Sequence, residues 1–447
     1  MRIFDTLSGS EKELEPADGR RVRIYACGPT VYAPVHVGNA RPFVVFSLLK
    51  RFLEHEGHEV TFVANITDVN DKIYDAAGGG SSAELAEQMT KRYIADTDRL
   101  GLGRPDAEPR ATETIGPIVS LIQDLVDSGH AYASEGDVYF RVRSFDGYGK
   151  LSNRPLEEMH QGEDDEGPKE DPLDFALWKA HKPGEDTAWD APWGRGRPGW
   201  HIECSAMAEE ILGLDFEIHG GGNDLIFPHH ENEIAQTEAA RGKPLARVWM
   251  HNGMLQVGKQ KGSKSLGNLP PLTASLDKYG RDALVMYFVR GHYRKPIDFS
   301  AEALEEAGRA VERIRELGRR LTPDAPPPSN AKSHEKLFFE DLHDDFNTPK
   351  ALSRLFAIVG AANKLLQTGV PVGPGPLRDM LWTLGLDNLL DAEDDLPGPE
   401  EERLLAERQE ARGAKDFATA DARRDELLAL GWEVRDTPEG PRLVRRA

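Results

Sequence analysis

Arg21-Val22-Arg23-Ile24-Tyr25-Ala26 reads as a short strand, and it runs into Cys27-Gly28-Pro29-Thr30, a turn-type sequence. A helix then starts near Asn39, with Pro42 in its first turn, where a missing N–H costs little. Val45, Leu48, Leu49, Phe52 and Leu53 fall on one face of it, Gly57 stops it, and Val60 to Ile66 forms the next strand. A strand, a helix and a strand in that order predict a parallel sheet with a right-handed crossover. Ligands bind such sheets beyond the carboxyl ends of the strands.

Outward from this unit, a second α/β block follows later in the chain. Asp215 to His219 reads as a strand, Gly220-Gly221-Gly222 as a flexible turn, His230 to Ala240 as a helix ending at Gly242, and Arg247 to Met250 as a further strand. Between the blocks lie β-like runs such as Val138-Tyr139-Phe140-Arg141-Val142 and an acidic loop, Glu163 to Glu166. This stretch reads as an insertion splitting one fold. Thr322 to Asn330, with four prolines, reads as a stiff linker. Leu337 to Leu366 and Leu377 to Leu384 read as helices, and Asp391 to Glu402 as an acidic break. A helix from Phe417 to Leu430 and a hairpin of Trp432–Val434 with Arg442–Val444 complete the chain.

Composition narrows the function classes. The chain has 447 residues, 39% hydrophobic and 29% charged, which fits a soluble globular protein of about three structural units. No apolar run reaches membrane-spanning length, and no secretory leader is evident. Two cysteines exclude a disulfide scaffold and point to a reducing cytoplasm. The net charge of −21 argues against non-specific coating of nucleic acid, though not against a local basic groove. No coiled-coil segment is evident, so a monomer is expected.

Three groups of residues carry chemistry. Cys27 follows the first strand, Cys204 lies near the start of a probable helix where a thiolate is favoured, and His229 and Glu233 share one helix face. Two thiolates, an imidazole and a carboxylate suit tetrahedral Zn²⁺. On spacing alone, two buried apolar cysteines are the commoner arrangement, and His230 and Glu231 compete for the other two places. His36-Val37-Gly38-Asn39 sits between strand and helix, where backbone N–H groups attract phosphate. Lys261-Gly262-Ser263-Lys264-Ser265 can close over a polyphosphate and neutralise developing charge.

Together these stretches resemble the class I aminoacyl-tRNA synthetases, with His36–Asn39 similar to their HIGH motif and Lys261–Ser265 to their KMSKS loop. More specific are Cys27-Gly28-Pro29-Thr30-Val31-Tyr32, Asn65-Ile66-Thr67-Asp68-Val69, Gly199 to Met207, His219 to Gly222 with Phe227 to Glu233, and Lys415 to Asp421. These resemble the cysteine–tRNA ligase family. The resemblance implies a class I Rossmann-like parallel sheet split by an insertion, then a helical anticodon-binding bundle and a small C-terminal α+β module. In residue numbers it implies catalytic halves at 1–128 and 201–255, a connective insertion at 129–200, the KMSKS loop and stem-contact region at 256–321, the helical domain at 322–390 and a tRNA-binding module at 391–447.

The resemblance further implies zinc on Cys27, Cys204, His229 and Glu233, with Mg²⁺ accompanying ATP. His36, Asn39, Lys261 and Lys264 would be catalytic, and Gly38, Ser263 and Ser265 would join Lys264 in binding the nucleotide. Thr30, Trp200, His219 and Asp224 would contact substrate. ATP, L-cysteine and tRNA(Cys) would be the partners. Gly262 stands where the motif has Met, Asn39 where it ends in His, and Asn70 where Asp is usual. RNA contacts are expected from Arg309, Arg313, Arg315, Arg319 and Arg320 and from Trp432, Arg435, Arg442, Arg445 and Arg446. A ligase that passes cysteine to an amino-sugar through the same adenylate is the rival reading.

Overall fold

The computed structural model describes residues 1–161, 167–258, 260–261, 269–391, 397–437 and 440–445. Its centre is a four-stranded, all-parallel sheet of β1 (Arg21–Ala26), β2 (Glu59–Ala64), β3 (Phe216–Gly222) and β4 (Ala246–Asn252), in the spatial order β4-β3-β1-β2. The chain leaves β1 in one direction to reach β2 and is found on the other side at β3. Strand order therefore reverses between β1 and β3, and their carboxyl ends splay apart into a crevice. Both faces are covered, because alternate residues point oppositely. Ile24, Phe62, Ile218 and Met250 enter one core, and Tyr25, Val63 and Trp249 the other.

α1 (Val37–His55) begins two residues before the expected Asn39, so Pro42 lies in its second turn. A proline there cannot donate to the Gly38 carbonyl, which loses its helical partner at the edge of the crevice. β3 also runs further than expected. Gly220, Gly221 and Gly222 are the end of a buried strand and not a flexible turn. A Cβ on Gly220 would lie 2.0 Å from the Phe46 ring, and one on Gly221 2.8 Å from Leu225. These glycines admit neighbours that side chains would displace.

The segment between the blocks folds as a separate antiparallel sheet of four strands (Ala131–Ser134, Asp137–Phe140, Phe175–Ala180 and Gly196–Pro198) with its own apolar core. The acidic residues 163–166 lie outside the described residues. α2 (Trp200–Leu212) and α3 (Glu231–Arg241) return the chain to the parallel sheet.

Beyond it, α4 (Leu272–Val289), α5 (Ala301–Gly318), α6 (Ala331–His343), α7 (Thr348–Gln367) and α8 (Leu377–Thr383) extend the same core. The single helix expected over 337–366 is broken, with Asp345 and Phe346 at φ of 58° and 48° and Asn347 capping the second piece. Pro399 to Glu402, expected in an acidic break, instead open α9 (Pro399–Gly413), where three glutamates favour the positive helix end. α10 (Phe417–Ala429) and the hairpin of Trp432–Thr437 with Gly440–Arg445 pack on it through Leu404, Leu427 and Trp432. Trp432, expected to meet RNA, is thus 4% exposed and belongs to that core. Among the described residues no helix is long and apolar enough to cross a membrane.

Candidate active site

The crevice between β1 and β3 opens into a cavity of about 540 Å³. Cys27, Thr30, His36, Gly38, Asn39, Trp200 and Asp224 line it. Cys27 is fixed where β1 ends, its N–H donating to the Gly220 carbonyl at 3.0 Å. Gly28 must be glycine, since a Cβ would sit 1.8 Å from the Asn65 carbonyl oxygen. The Gly28 N–H donates instead to Asn65 Oδ1 at 2.9 Å, which ties the turn to β2.

His36 and Asn39 form a reciprocal cap on α1. The Asn39 N–H donates to His36 Nδ1 at 3.2 Å, and the His36 N–H to Asn39 Oδ1 at 3.1 Å. The amide at position 39 therefore holds the imidazole in place. Gly38 lines the cavity, and a Cβ there would press on the His36 ring and on Leu269 at 2.9–3.0 Å. Leu269 and its neighbours bind the same turn, with the Val37 N–H donating to Pro270 and the Leu272 N–H to Val35. On the near side, Lys261 pairs with Gln256 beside the cavity residue Leu255. The segment carrying Gly262, Ser263, Lys264 and Ser265 thus leaves and rejoins the fold at the cavity, although those four lie outside the described residues.

Behind Cys27, at the inner wall of the cavity, the donor atoms gather. Cys27, Cys204, His229 and Glu233 offer ligand atoms that all lie within 4.8 Å of one another, and all four residues are buried. A second set, Cys27, His219, His230 and Glu233, shares two members and meets the same criterion. Glu231, an open alternative in the sequence, is excluded. It accepts the N–H groups of Gly149, Leu151 and Ser152 at 2.7–3.3 Å and so anchors a loop of the insertion.

The donors are oriented from behind. His201 Nδ1 lies 2.9 Å from His229 Nδ1, and His229 Nε2 lies 3.1 Å from Glu233 Oε1. Trp200, half-buried at the cavity wall, stacks on His229 with ring centres 4.2 Å apart. His219, expected among the substrate contacts, is wholly buried behind the wall, 3.1 Å from Glu233 Oε2. Lys72 lines the cavity with its ammonium 5.7 Å from the Trp200 ring, a contact that sequence spacing did not reveal. Asn70 caps the helix Asp71–Ala77 by accepting the Lys72 N–H, a task an amide performs as well as a carboxylate.

Electrostatically this cluster wants a cation. Burial pushes the Cys27 thiol well above its usual range, with Cys204 and Glu233 adding to the effect. Contact with Cys27 lowers the Cys204 thiol, but burial and the nearby carboxylates leave it raised. The helix start at Cys204 therefore does not yield a thiolate by itself. Glu233 Oε2 is buried and, although His219 Nε2 lies 3.1 Å away, receives no well-aligned hydrogen bond. Two sulfurs, a neutral imidazole and an orphaned carboxylate oxygen fit Zn²⁺, whose charge reverses the local proton preferences.

Burial also pushes His201, His229 and His251 down to about 3. Unfolded, each titrates near 6.5, so below that pH the unfolded chain binds more protons than the folded one. This contribution to stability is complete above about pH 6.5 and is lost as pH falls toward 3, at up to about 1.4 kcal/mol per histidine per pH unit. Melting of the metal-free chain should drop steeply between pH 6.5 and 5. A flat profile there would mean that these rings charge freely in the fold.

The chain matches known proteins along most of its length. Residues 13–309 match the tRNA synthetases class I (C) catalytic domain, 337–380 the DALR domain, and 393–441 the cysteinyl-tRNA ligase anticodon binding domain. The cysteine–tRNA ligase of Caldicellulosiruptor saccharolyticus is 44% identical over 464 residues, covering 100% of both chains. That of Geobacillus thermodenitrificans is 43% identical, covering 100% of this chain and 99% of its own.

The chain belongs to the cysteine–tRNA ligase family.

Solved structures place the family fold among class I synthetases. Methionyl-tRNA synthetase of Mycobacterium tuberculosis, in complex with methionyl-adenylate, superposes with a TM-score of 0.60 at 15% identity, over 83% of this chain and 89% of its own. The leucyl enzyme of Agrobacterium radiobacter K84, in a ternary complex with tRNA, gives 0.59 at 11% identity, over 85% and 84%. At such identities the likeness concerns the fold, and it agrees with the split parallel sheet and the helical region after it.

Proposed function

We propose that this cysteine–tRNA ligase activates L-cysteine with ATP and transfers it to the 3′ end of tRNA(Cys). In the first step a cysteine carboxylate oxygen attacks the α-phosphorus and pyrophosphate leaves. In the second a terminal ribose hydroxyl attacks the carbonyl carbon and AMP leaves. The observation that carries the reading is the two-sulfur donor cluster that meets, through Cys27, a cavity lined also by the His36–Asn39 cap.

Of the two donor sets, Cys27, Cys204, His229 and Glu233 brings both sulfurs and thus the greater negative charge to a dication. Zinc held there supplies a borderline-soft site that binds a thiolate far better than a serine hydroxyl. The protein's own groups do the remaining work. His201 holds the His229 ring, Trp200 covers it, and Thr30 and Asp224 border the space left for the amino acid.

His36, kept in place by Asn39, and the N–H groups at the start of α1 face the triphosphate with its Mg²⁺, and Gly38 lets the nucleotide approach the backbone. Lys261, Ser263, Lys264 and Ser265, on the segment tethered at both ends beside the cavity, supply hydroxyls and positive charge as pyrophosphate departs. All four metal donors come from one chain, so a monomer is a complete catalyst.

Charging of total tRNA with labelled cysteine, with serine as control, tests this. Cysteine-only, ATP-dependent charging is expected. Cysteine-dependent ATP–pyrophosphate exchange without charging would point to transfer onto an amino-sugar, and loss of both would overturn the assignment. The match of the C-terminal residues to an anticodon-binding domain favours tRNA as acceptor.

A further inference from the structure

Away from the active site, a groove of about 570 Å³ lies where α5 meets the start of α7. Arg309 and Arg313, one turn apart on α5, form one wall, and Arg290 closes the end next to α4. Pro349, Leu352 and Phe356, from the first turns of α7, make an apolar floor. Such a concentration of guanidinium groups stands out in a chain of net charge −21.

Their pairing shows which charges are satisfied within the fold. Arg315, on the same helix but turned inward, binds Asp282 and Glu312 and serves packing. Arg290 pairs with Glu306 at 2.7 Å. Arg309 and Arg313 line the groove with no carboxylate partner among the described residues, and Arg313 lies 5.0 Å over the Phe356 ring. Stacking of that kind restricts a long side chain before any ligand arrives. The groove thus carries three cations against one carboxylate, and the positive end of a 20-residue helix adds to the field.

We propose that this groove holds the sugar-phosphate backbone of the bound tRNA, with Arg309 and Arg313 on consecutive phosphates and the ribose edge against Leu352 and Phe356. The proposal rests on the tRNA-charging reading above. Two features favour RNA backbone over a free anion. The cations line one wall above an apolar floor and do not converge on a point. The groove also joins the end of the segment matched to the catalytic domain, residues 13–309, to the DALR segment at 337–380, and both precede the anticodon-binding segment that starts at 393.

The test compares the full-length protein with Arg309→Gln, Arg313→Gln and the double variant, using Lys336→Gln on α6, an exposed cation outside the groove, as a control. The double variant should raise KM for tRNA about tenfold with little change in kcat, and lower the slope of log affinity against log salt by about one per arginine. Cysteine-dependent pyrophosphate exchange should stay within twofold of wild type. Arg313→Lys should restore the salt slope.

Variants that match wild type in KM and slope, while wild type charges tRNA, would overturn the groove and leave the activity standing. Exchange lost in parallel with charging would assign these arginines to folding and overturn it too. A wild-type chain that charges no tRNA would remove the reading on which the proposal rests.

Discussion

Cys204→Ser is expected to abolish stoichiometric zinc and to lower cysteine-dependent ATP–pyrophosphate exchange by about 10³-fold or more, equivalent to about 4 kcal/mol of transition-state stabilisation. The side chain is 1% exposed and clusters with Cys27, His229 and Glu233 just behind the cavity wall. Serine fills nearly the same volume, so the fold has little reason to change. What disappears is a ligand that deprotonates readily against a dication, since a hydroxyl keeps its proton and binds weakly. Metal content measured on the purified variant checks the first claim without reference to activity. The exchange assay checks the second, and with cobalt supplied in place of zinc the sulfur-to-cobalt absorption should weaken as one thiolate is lost. The same experiment separates the two donor sets. If His219 and His230 were the ligands, His230→Ala would lose the metal and Cys204→Ser would keep it. A Cys204→Ser protein with full zinc and wild-type exchange would remove Cys204 from the site.

How much of this was legible beforehand depends on the range of the interactions involved. The α/β units could be read because strand and helix periodicities are local, and the turn at Cys27–Thr30 sits where such units place their ligands. Other features were set by distant partners. Gly220 to Gly222 looked like a turn because glycine permits one, yet Phe46, Leu225 and His230 occupy the space that side chains would need. The break after α6 depends on Asp345, whose carboxylate binds Tyr293 and Arg294 from far along the chain. Spacing left His229–Glu233 and His230–Glu231 equivalent. Only a loop of the insertion, Gly149 to Ser152, hydrogen-bonded to Glu231, tells them apart, and that is a tertiary contact. Lys72 went unnoticed for the same reason, because nothing in its neighbours places it beside Trp200.

Arg41 shows the largest structural effect expected of a single side chain. It lies on α1, five residues after His36, and is 1% exposed. Its guanidinium donates to the carbonyl oxygens of Gly253, Met254, His292, Tyr293 and Lys295, with Lys295 at 2.7 Å. One side chain thus clasps the loop after β4, where Gly253 and Met254 line the cavity, to the loop after α4. Burial lowers its pKa to about 10, so it remains charged at neutral pH. Replacing a buried ion pair by apolar groups is often neutral, because both charges leave together. Among the described residues no carboxylate pairs with it. Arg41→Met removes the cation that ties these five carbonyls together and takes one donor from each, leaving Gly253, Met254, His292 and Tyr293 with one other donor apiece. A cost of about 3–5 kcal/mol follows, and a fall in melting temperature of about 10 °C. Activity should fall as well, through loosened cavity walls. Arg41→Lys should lie between, since one ammonium cannot span carbonyls from both loops. Thermal melts of the three proteins under one buffer decide the matter. If Arg41→Met melts with wild type, the two loops are held by their own packing, and the guanidinium merely occupies space between them.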